Sequence, residues 1–259
     1  MRVSRIYKIF KDSRVFTIDD VRKEMSDLPS KAIRRNIETG ITSETIGKVK
    51  RGLYYIIPPG TKKEEYKVDP CLVASRIRPD GVLCYSTAFS VHGRMHSLSN
   101  VMYVSSKSRF SSFIYQGISY KSVMLPELDF SVKKISYKGT SLRATTLERT
   151  IFDGLRRLKY MGGLEEFFHT LEAIPYLNRE ILEACIERFQ SPSLQGKVGF
   201  FLELFQEQWG IPEEVIRKLM RRVPQQPEYL TSRKSRGVLI KKWNLIVPPS
   251  LKGVLKSGK

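Results

Sequence analysis

SKAIRRNIETG at residues 30–40, continued by ITSETIGKVKRGLYYI at 41–56, is the stretch whose reading decides the fold. Ile33 and Ile37 stand four apart on one side of a helix, while Lys31, Arg34, Arg35 and Glu38 take the other. Ser30 is expected as the N-cap and Gly40 as the C′ residue of a helix over 31–39. Two short strands, 46–50 and 53–57, then pair across Arg51-Gly52, where glycine allows the positive φ of a tight hairpin. A basic helix followed by a basic hairpin is the order of a recognition helix and its wing.

Upstream, Ile6, Ile9 and Phe10 mark one face of a helix over 4–11, and 16–18 reads as a short extended piece. Thr17 precedes Asp20 by three residues, a capping box with a shortened acid. The helix that follows runs to Met25, with Val21 and Met25 inward, and 26–29 is a turn. The series predicts an N-terminal winged helix-turn-helix over 1–60. Its core is expected from Ile6, Ile9, Phe10, Val21, Met25, Ile33, Ile37, Leu53 and Tyr55. Expected DNA contacts on the helix are Ser30, Lys31, Arg34, Arg35 and Asn36. Arginine can span guanine O6 and N7, and Asn36 can do the same for adenine if it faces outward. Lys48, Lys50 and Arg51 would line the wing for phosphate or minor-groove contact. A winged helix that docks another protein is the alternative these residues leave open.

Charge supports a polyanionic partner. The chain of 259 residues has a formal net charge of +19, unevenly spread. Residues 1–60 hold 13 Lys and Arg against 7 Asp and Glu, and 216–259 hold 12 against 1. The 155 residues between are nearly balanced, at 20 against 18. Charge added only for solubility would be more even, whereas two basic ends fit an anionic surface. Hydrophobic content of 41% is that of a packed globular chain. No apolar run reaches the roughly 18 residues of a membrane span, and MRVSRIYKIFKDSR lacks a signal-peptide core. Cys71, Cys84 and Cys185 form no C-x-x-C and are expected as buried thiols. The expected location is cytoplasmic, with no membrane partner.

Pro58-Pro59-Gly60-Thr61 and the charges after it read as a linker, dividing 1–60 from a larger domain over 66–259. Asp69-Pro70 opens a helix as N-cap and N1, and Ser86 caps another over 87–92. Short strands are expected at 101–105, 113–115, 118–124, 132–137 and 142–144. Thr145-x-x-Glu148 is a capping box for a helix reaching 160. Helices follow at 164–171, 179–189, 194–209 and 213–222, then a strand-like run over 242–247. The class is α+β.

The motifs RGLYYI at 51–56, DPCLVASRI at 69–77, YSTAFSVHG at 85–93 and TTLERTIFDGL at 145–155 together resemble the AbiEi antitoxin family. GKVGFFLELF at 196–205 and KKWNLIV at 241–247 extend the resemblance over nearly the whole chain. The resemblance implies a type IV antitoxin of an abortive-infection, antiviral defence system. Its winged helix would repress its own operon by binding inverted repeats in double-stranded operator DNA. Its C-terminal α+β domain would counteract a nucleotidyltransferase-like toxin without forming a stable complex. The wing, Ile46-Gly47-Lys48-Val49-Lys50, departs from the family, which usually has arginine at the start of that strand. Operator preference is therefore not carried over. A transcriptional regulator of the same build without a toxin is the second reading.

Other constellations point away from catalysis. His92 and His96 have the spacing of two helical metal ligands, but Gly93 should end the helix between them. His92 is better placed as a helix end packing on the sheet. Glu127, Asp129 and Lys133 resemble a metal-dependent nuclease set only loosely, since Pro126 precedes the first acid. Glu148 and Asp153, five apart, diverge on a helix. No G-x-S-x-G, P-loop or dinucleotide fingerprint is present. No metal or cofactor is expected, and the chain is expected not to be an enzyme. Arg221, Arg222, Arg233, Lys234, Arg236, Lys241 and Lys242 form a possible second basic surface around Trp243, itself expected as a core plug. DNA backbone, RNA or an acidic toxin would each suit that charge.

Overall fold

The computed structural model describes residues 5–97, 99–231 and 236–251. The fold is mixed α+β, with helices and, among the described residues, three sheets. The chain divides into two compact units, each assembled from separated segments. The first takes Met1–Thr87, Asn100–Leu128 and Val132–Ala144; the second takes Ala88–Ser99, Asp129–Ser131 and Thr145–Lys259.

The first unit begins α1 (Arg5–Phe10), β1 (Val15–Thr17), α2 (Ile18–Glu24), α3 (Ser30–Thr42), β2 (Ile46–Lys50) and β3 (Leu53–Ile56). The capping box at α2 forms as expected. Thr17 Oγ1 accepts from the Asp20 amide at 3.1 Å, and the Asp20 carboxylate accepts from the Thr17 amide at 2.8 Å. Such a cap stabilises a helix by about 1 kcal/mol. The expected boundaries of α3 shift at both ends. Pro29 is the N-cap residue and gives no side-chain cap, so Ser30 lies inside the helix. Gly40 also lies inside, because its bare Cα is where the Ile46 side chain packs; a Cβ there would stand 2.4 Å from Ile46 Cδ1. Glu44, at φ 55°, takes the left-handed position after the helix instead.

β1, β3 and β2 form an antiparallel sheet with β3 central, closed over a cluster of Ile6, Phe10, Phe16, Val21, Met25, Ile33, Ile37, Ile46, Tyr54 and Ile56. Ile9 is only partly buried against it. The expected core placed Leu53 and Tyr55 there, one residue out of phase. In a strand that error exchanges the two faces. The sequence hid it, because all four residues of β3 are buried.

Tyr55 belongs to the other face, and later chain covers it. Its hydroxyl lies 3.0 Å from that of Tyr115, and its ring stacks 5.7 Å from Tyr66. Arg76 also reaches back to Asp20, at 3.8 Å. Contacts therefore cross residues 58–63 in number, contrary to the expected linker, and the two compact units do not separate there. The prolines stiffen a connection between packed parts.

A six-stranded mixed sheet completes this unit, in the order β6-β7-β5-β4-β9-β8. Its strands are β4 (Val82–Leu83), β5 (Val101–Ser105), β6 (Phe113–Tyr115), β7 (Ile118–Val123), β8 (Val132–Tyr137) and β9 (Thr140–Thr145). The two-residue β4 was not expected; it pairs antiparallel with β5 and parallel with β9. α4 (Pro70–Ser75) is capped by Asp69, whose carboxylate accepts from the Cys71 and Leu72 amides. α5 (Ser86–Val91) then leads the chain toward the second unit.

The second unit is mostly helical: α6 (Leu147–Arg156), α7 (Leu164–Glu172), α8 (Arg179–Arg188), α9 (Pro192–Leu204), α10 (Gln206–Trp209) and α11 (Glu213–Met220). Three short strands follow, β10 (Glu228–Tyr229), β11 (Val238–Ile240) and β12 (Leu245–Val247). α6 stops before residue 160, and Leu158–Met161 is a 3-10 turn. Its cap is Thr146 rather than Thr145, whose hydroxyl instead bonds Thr150 at 2.7 Å. Glu148 is not the capping acid, because it is buried and accepts from the Asn178 amide at 2.7 Å. Trp243 is fully buried, as expected of a core plug. Its ring fills the space over Gly199, and its indole N–H donates to Glu203 at 2.5 Å. Residues 241–243 form a 3-10 turn, so only the later part of the expected final run is strand.

Candidate nucleic-acid interface

α3 presents its polar side to solvent: Lys31, Arg34, Arg35, Asn36 and Glu38 are all exposed, while Ile33 and Ile37 anchor the helix below. β2 and β3 rise beside it and turn at Arg51-Gly52, where Gly52 has φ 83°. Between helix and hairpin lies an open cleft of about 350 Å³. Arg34, Glu38 and Ile41 line it from α3, Lys48, Arg51 and Tyr54 from the hairpin, and Arg22 from α2. Arg22 escaped the sequence reading; its only signal was its place beside the inward Val21. Among the described residues, the side chains of Arg34, Lys48 and Arg51 have no hydrogen bond or ion pair. They are free to meet an anion without first breaking an internal contact. Arg22 is held by Asp19 at 2.7 Å.

Four expected contacts stand elsewhere. Lys50 is turned away by a bulge: Lys48 pairs with Tyr54 and Lys50 with Leu53, leaving Val49 as the extra residue. A bulge re-aims the side chain that follows it. The Lys50 ammonium consequently lies 4.4 Å from the centre of the Phe113 ring and 5.4 Å from that of Phe110. Burial, with the nearby positive charge of Arg78, holds its pKa below the ordinary lysine value. Asn36 is exposed but, at about 100° per residue, lies on the flank of α3 away from the cleft. Ser30 sits exposed in the first turn. Arg35 lines an adjoining shallow depression with Glu38, Thr39, Thr42 and Ser43.

In the second unit, Arg217, Lys218, Arg221 and Arg222 line an open groove along α11 together with Glu214. Part of this charge is already neutralised. Glu187 pairs with Lys218 at 2.5 Å and with Arg222 at 3.3 Å, and these contacts hold its carboxyl below the ordinary glutamate range. Lys242 pairs with Glu203. Arg221, Arg236 and Lys241 are exposed, while Arg233 and Lys234 lie outside the described residues.

The constellations weighed for catalysis fall apart in space or serve packing. His92 Nε2 lies 2.9 Å from the Thr145 carbonyl, so it fastens the end of α5 to the end of β9. His96 stacks on His169 at 4.9 Å and faces Glu166 at 3.5 Å. Glu127, Asp129 and Lys133 are each exposed. Asp153 meets the fully buried Arg149 at 3.1 Å; burial raises its carboxyl above the ordinary aspartate range, against the pull of that guanidinium. Arg149 also donates to the Phe130 carbonyl and lies between the Phe130 and Phe189 rings. This pair ties α6 to the chain at Phe130 and Phe189 inside the core. The three cysteines are buried thiols.

No family model matches the chain, and no curated protein matches it. Among the described residues no helix is long and apolar enough to cross a membrane.

Proposed function

We propose that the first sixty residues are a winged helix that binds duplex DNA, with α3 as recognition helix and the β2–β3 hairpin as wing. The observation that carries this reading is the cleft where unpaired Arg34, Lys48 and Arg51 converge from two elements. A helix fits the major groove, and arginine at its exposed side suits guanine. Lysine and arginine on a hairpin beside it suit the flanking phosphates. The overall charge of +19 supports the same partner. In this reading the protein is a regulator and not an enzyme. The AbiEi resemblance extends the proposal to a repressor–antitoxin that silences its own operon and counteracts a nucleotidyltransferase-like toxin encoded beside it.

Two experiments test the two layers. Footprinting of the full chain on the DNA upstream of its own coding sequence should protect paired, inverted sites. No protection at moderate salt would sink the DNA-binding reading and favour a winged helix that docks protein. Co-expression with the adjacent open reading frame, scored by growth, should relieve toxicity. If that neighbour is harmless alone, the antitoxin layer fails while the regulator remains.

A further inference from the structure

The cleft beside α3 contains one carboxylate among its cations, and that carboxylate is unpaired. Glu38 lines the cleft with Arg34, Lys48 and Arg51, yet among the described residues its side chain makes no hydrogen bond or ion pair. Three other acids of this module are committed to partners, whereas Asp12, Glu24 and Glu44 are not but lie outside this cleft. Asp27 holds Arg5, Asp19 holds Arg22, and Asp20 serves the cap of α2. Arg34 precedes Glu38 by one helical turn, the weaker of the two orders for a pair four apart. Neither a cap nor an ion pair accounts for Glu38, which lies where this cleft adjoins the depression lined by Arg35. On a surface that only grips phosphate, such a charge would be a defect, because it repels the backbone.

Its chemistry fits the inside of the groove. A carboxylate only accepts hydrogen bonds, and in the major groove the N4 amino group of cytosine is the donor that suits it. We propose that Glu38 is a specificity-determining residue of this interface, accepting from a cytosine N4 in duplex DNA, an inference that rests on the DNA-binding reading above. Arg34 and Glu38 are separated by about 6 Å along the helix axis, against about 3.4 Å between successive base pairs. The guanine met by Arg34 and the cytosine met by Glu38 thus lie about two base steps apart. The negative charge also lowers binding to arbitrary sequences, so one side chain raises discrimination from both directions.

The test uses the full chain and a library of random DNA duplexes, with retained duplexes sequenced after selection. Glu38→Gln and Glu38→Ala are carried in parallel, and their thermal melts check that both fold. The parent should enrich a site holding guanine and cytosine about two steps apart. Both variants should lose the cytosine preference, and the ratio of selected-site to random-duplex affinity should fall roughly 5- to 150-fold. Their binding to random duplex at low salt should become tighter than the parent's. An unchanged cytosine preference in Glu38→Gln, with the parent still selective, overturns the assignment of Glu38 and leaves the DNA-binding reading standing. A parent that retains duplex without any sequence preference also overturns it. A parent that retains no duplex at all overturns both.

Discussion

Two lysines in one short strand, Lys48 and Lys50, have different surroundings and should have different roles. Arg34→Ala should cost roughly 1–3 kcal/mol of specific DNA affinity, the range for one base contact. Lys48→Ala and Arg51→Ala should weaken binding evenly across sequences and reduce the salt slope by about one each. Lys50→Ala should leave the footprint intact but lower the urea midpoint, since a cation over an aromatic ring contributes about 0.5–2 kcal/mol. Titrations of each variant against the promoter and against random duplex separate these outcomes; weakened DNA binding by a stably folded Lys50→Ala would refute the role of the bulge. The thiols give a pH prediction. Burial pushes Cys71 and Cys185 up to about 12, from an ordinary value of 9.0. A disulfide reagent at pH 8 should therefore react slowly with the native protein and rapidly after unfolding. Because both thiols bind protons more tightly when folded, stability is fully present below pH 9 and falls as pH climbs toward 12.

At the scale of elements, local signals work where they are self-contained. The Thr17–Asp20 box needs only three residues' spacing, and Thr17→Ala should lower stability by about 1 kcal/mol in a denaturant titration. α6 shows the opposite case. Its Thr145-x-x-Glu148 pattern matches a capping box, but the threonine before Leu147 is the cap, and Glu148 is taken by the chain at Asn178. Arg149 and Asp153 are four apart on this helix and both are buried, so removing one partner should be severe. Arg149→Ala should cost about 3–5 kcal/mol, because it strands a buried carboxylate. A change below 1 kcal/mol in the denaturation midpoint would mean that water reaches this pair.

For the whole molecule, the question is whether the first sixty residues can be cut away cleanly. The contacts of Tyr55 with Tyr66 and Tyr115, and of Lys50 with Phe113, argue that they cannot. A chain starting near residue 66 leaves those rings without their cover. It should melt at a lower temperature than the full protein, or with a broadened transition, as followed by circular dichroism. A fragment melting at the full-length temperature would restore the independent domain expected from the prolines. Under the proposed antitoxin reading, a shortened chain that folds and still relieves the toxicity of the neighbouring gene product would make neutralisation separable from DNA binding; a folded fragment without rescue would reduce the proposed antitoxin effect to repression.

Helical phase, the Thr17 cap, the glycine at the hairpin turn and the Asp69-Pro70 helix start were legible in the chain alone. Each depends on residues a few positions apart, and backbone geometry fixes what such spacings mean. The basic ends and the exposed side of α3 were legible for the same reason. Tertiary structure alone decided which face of β3 enters the core, because a strand buried on both faces shows no alternation to read. It decided that Gly40 is a packing gap and not a helix end, since the reason is the Ile46 side chain six residues away. It also turned Lys50 out of the cleft, because one extra residue in a strand reverses everything beyond it. Spacing fixes what neighbours do to each other, while burial by distant chain depends on packing that no local pattern encodes.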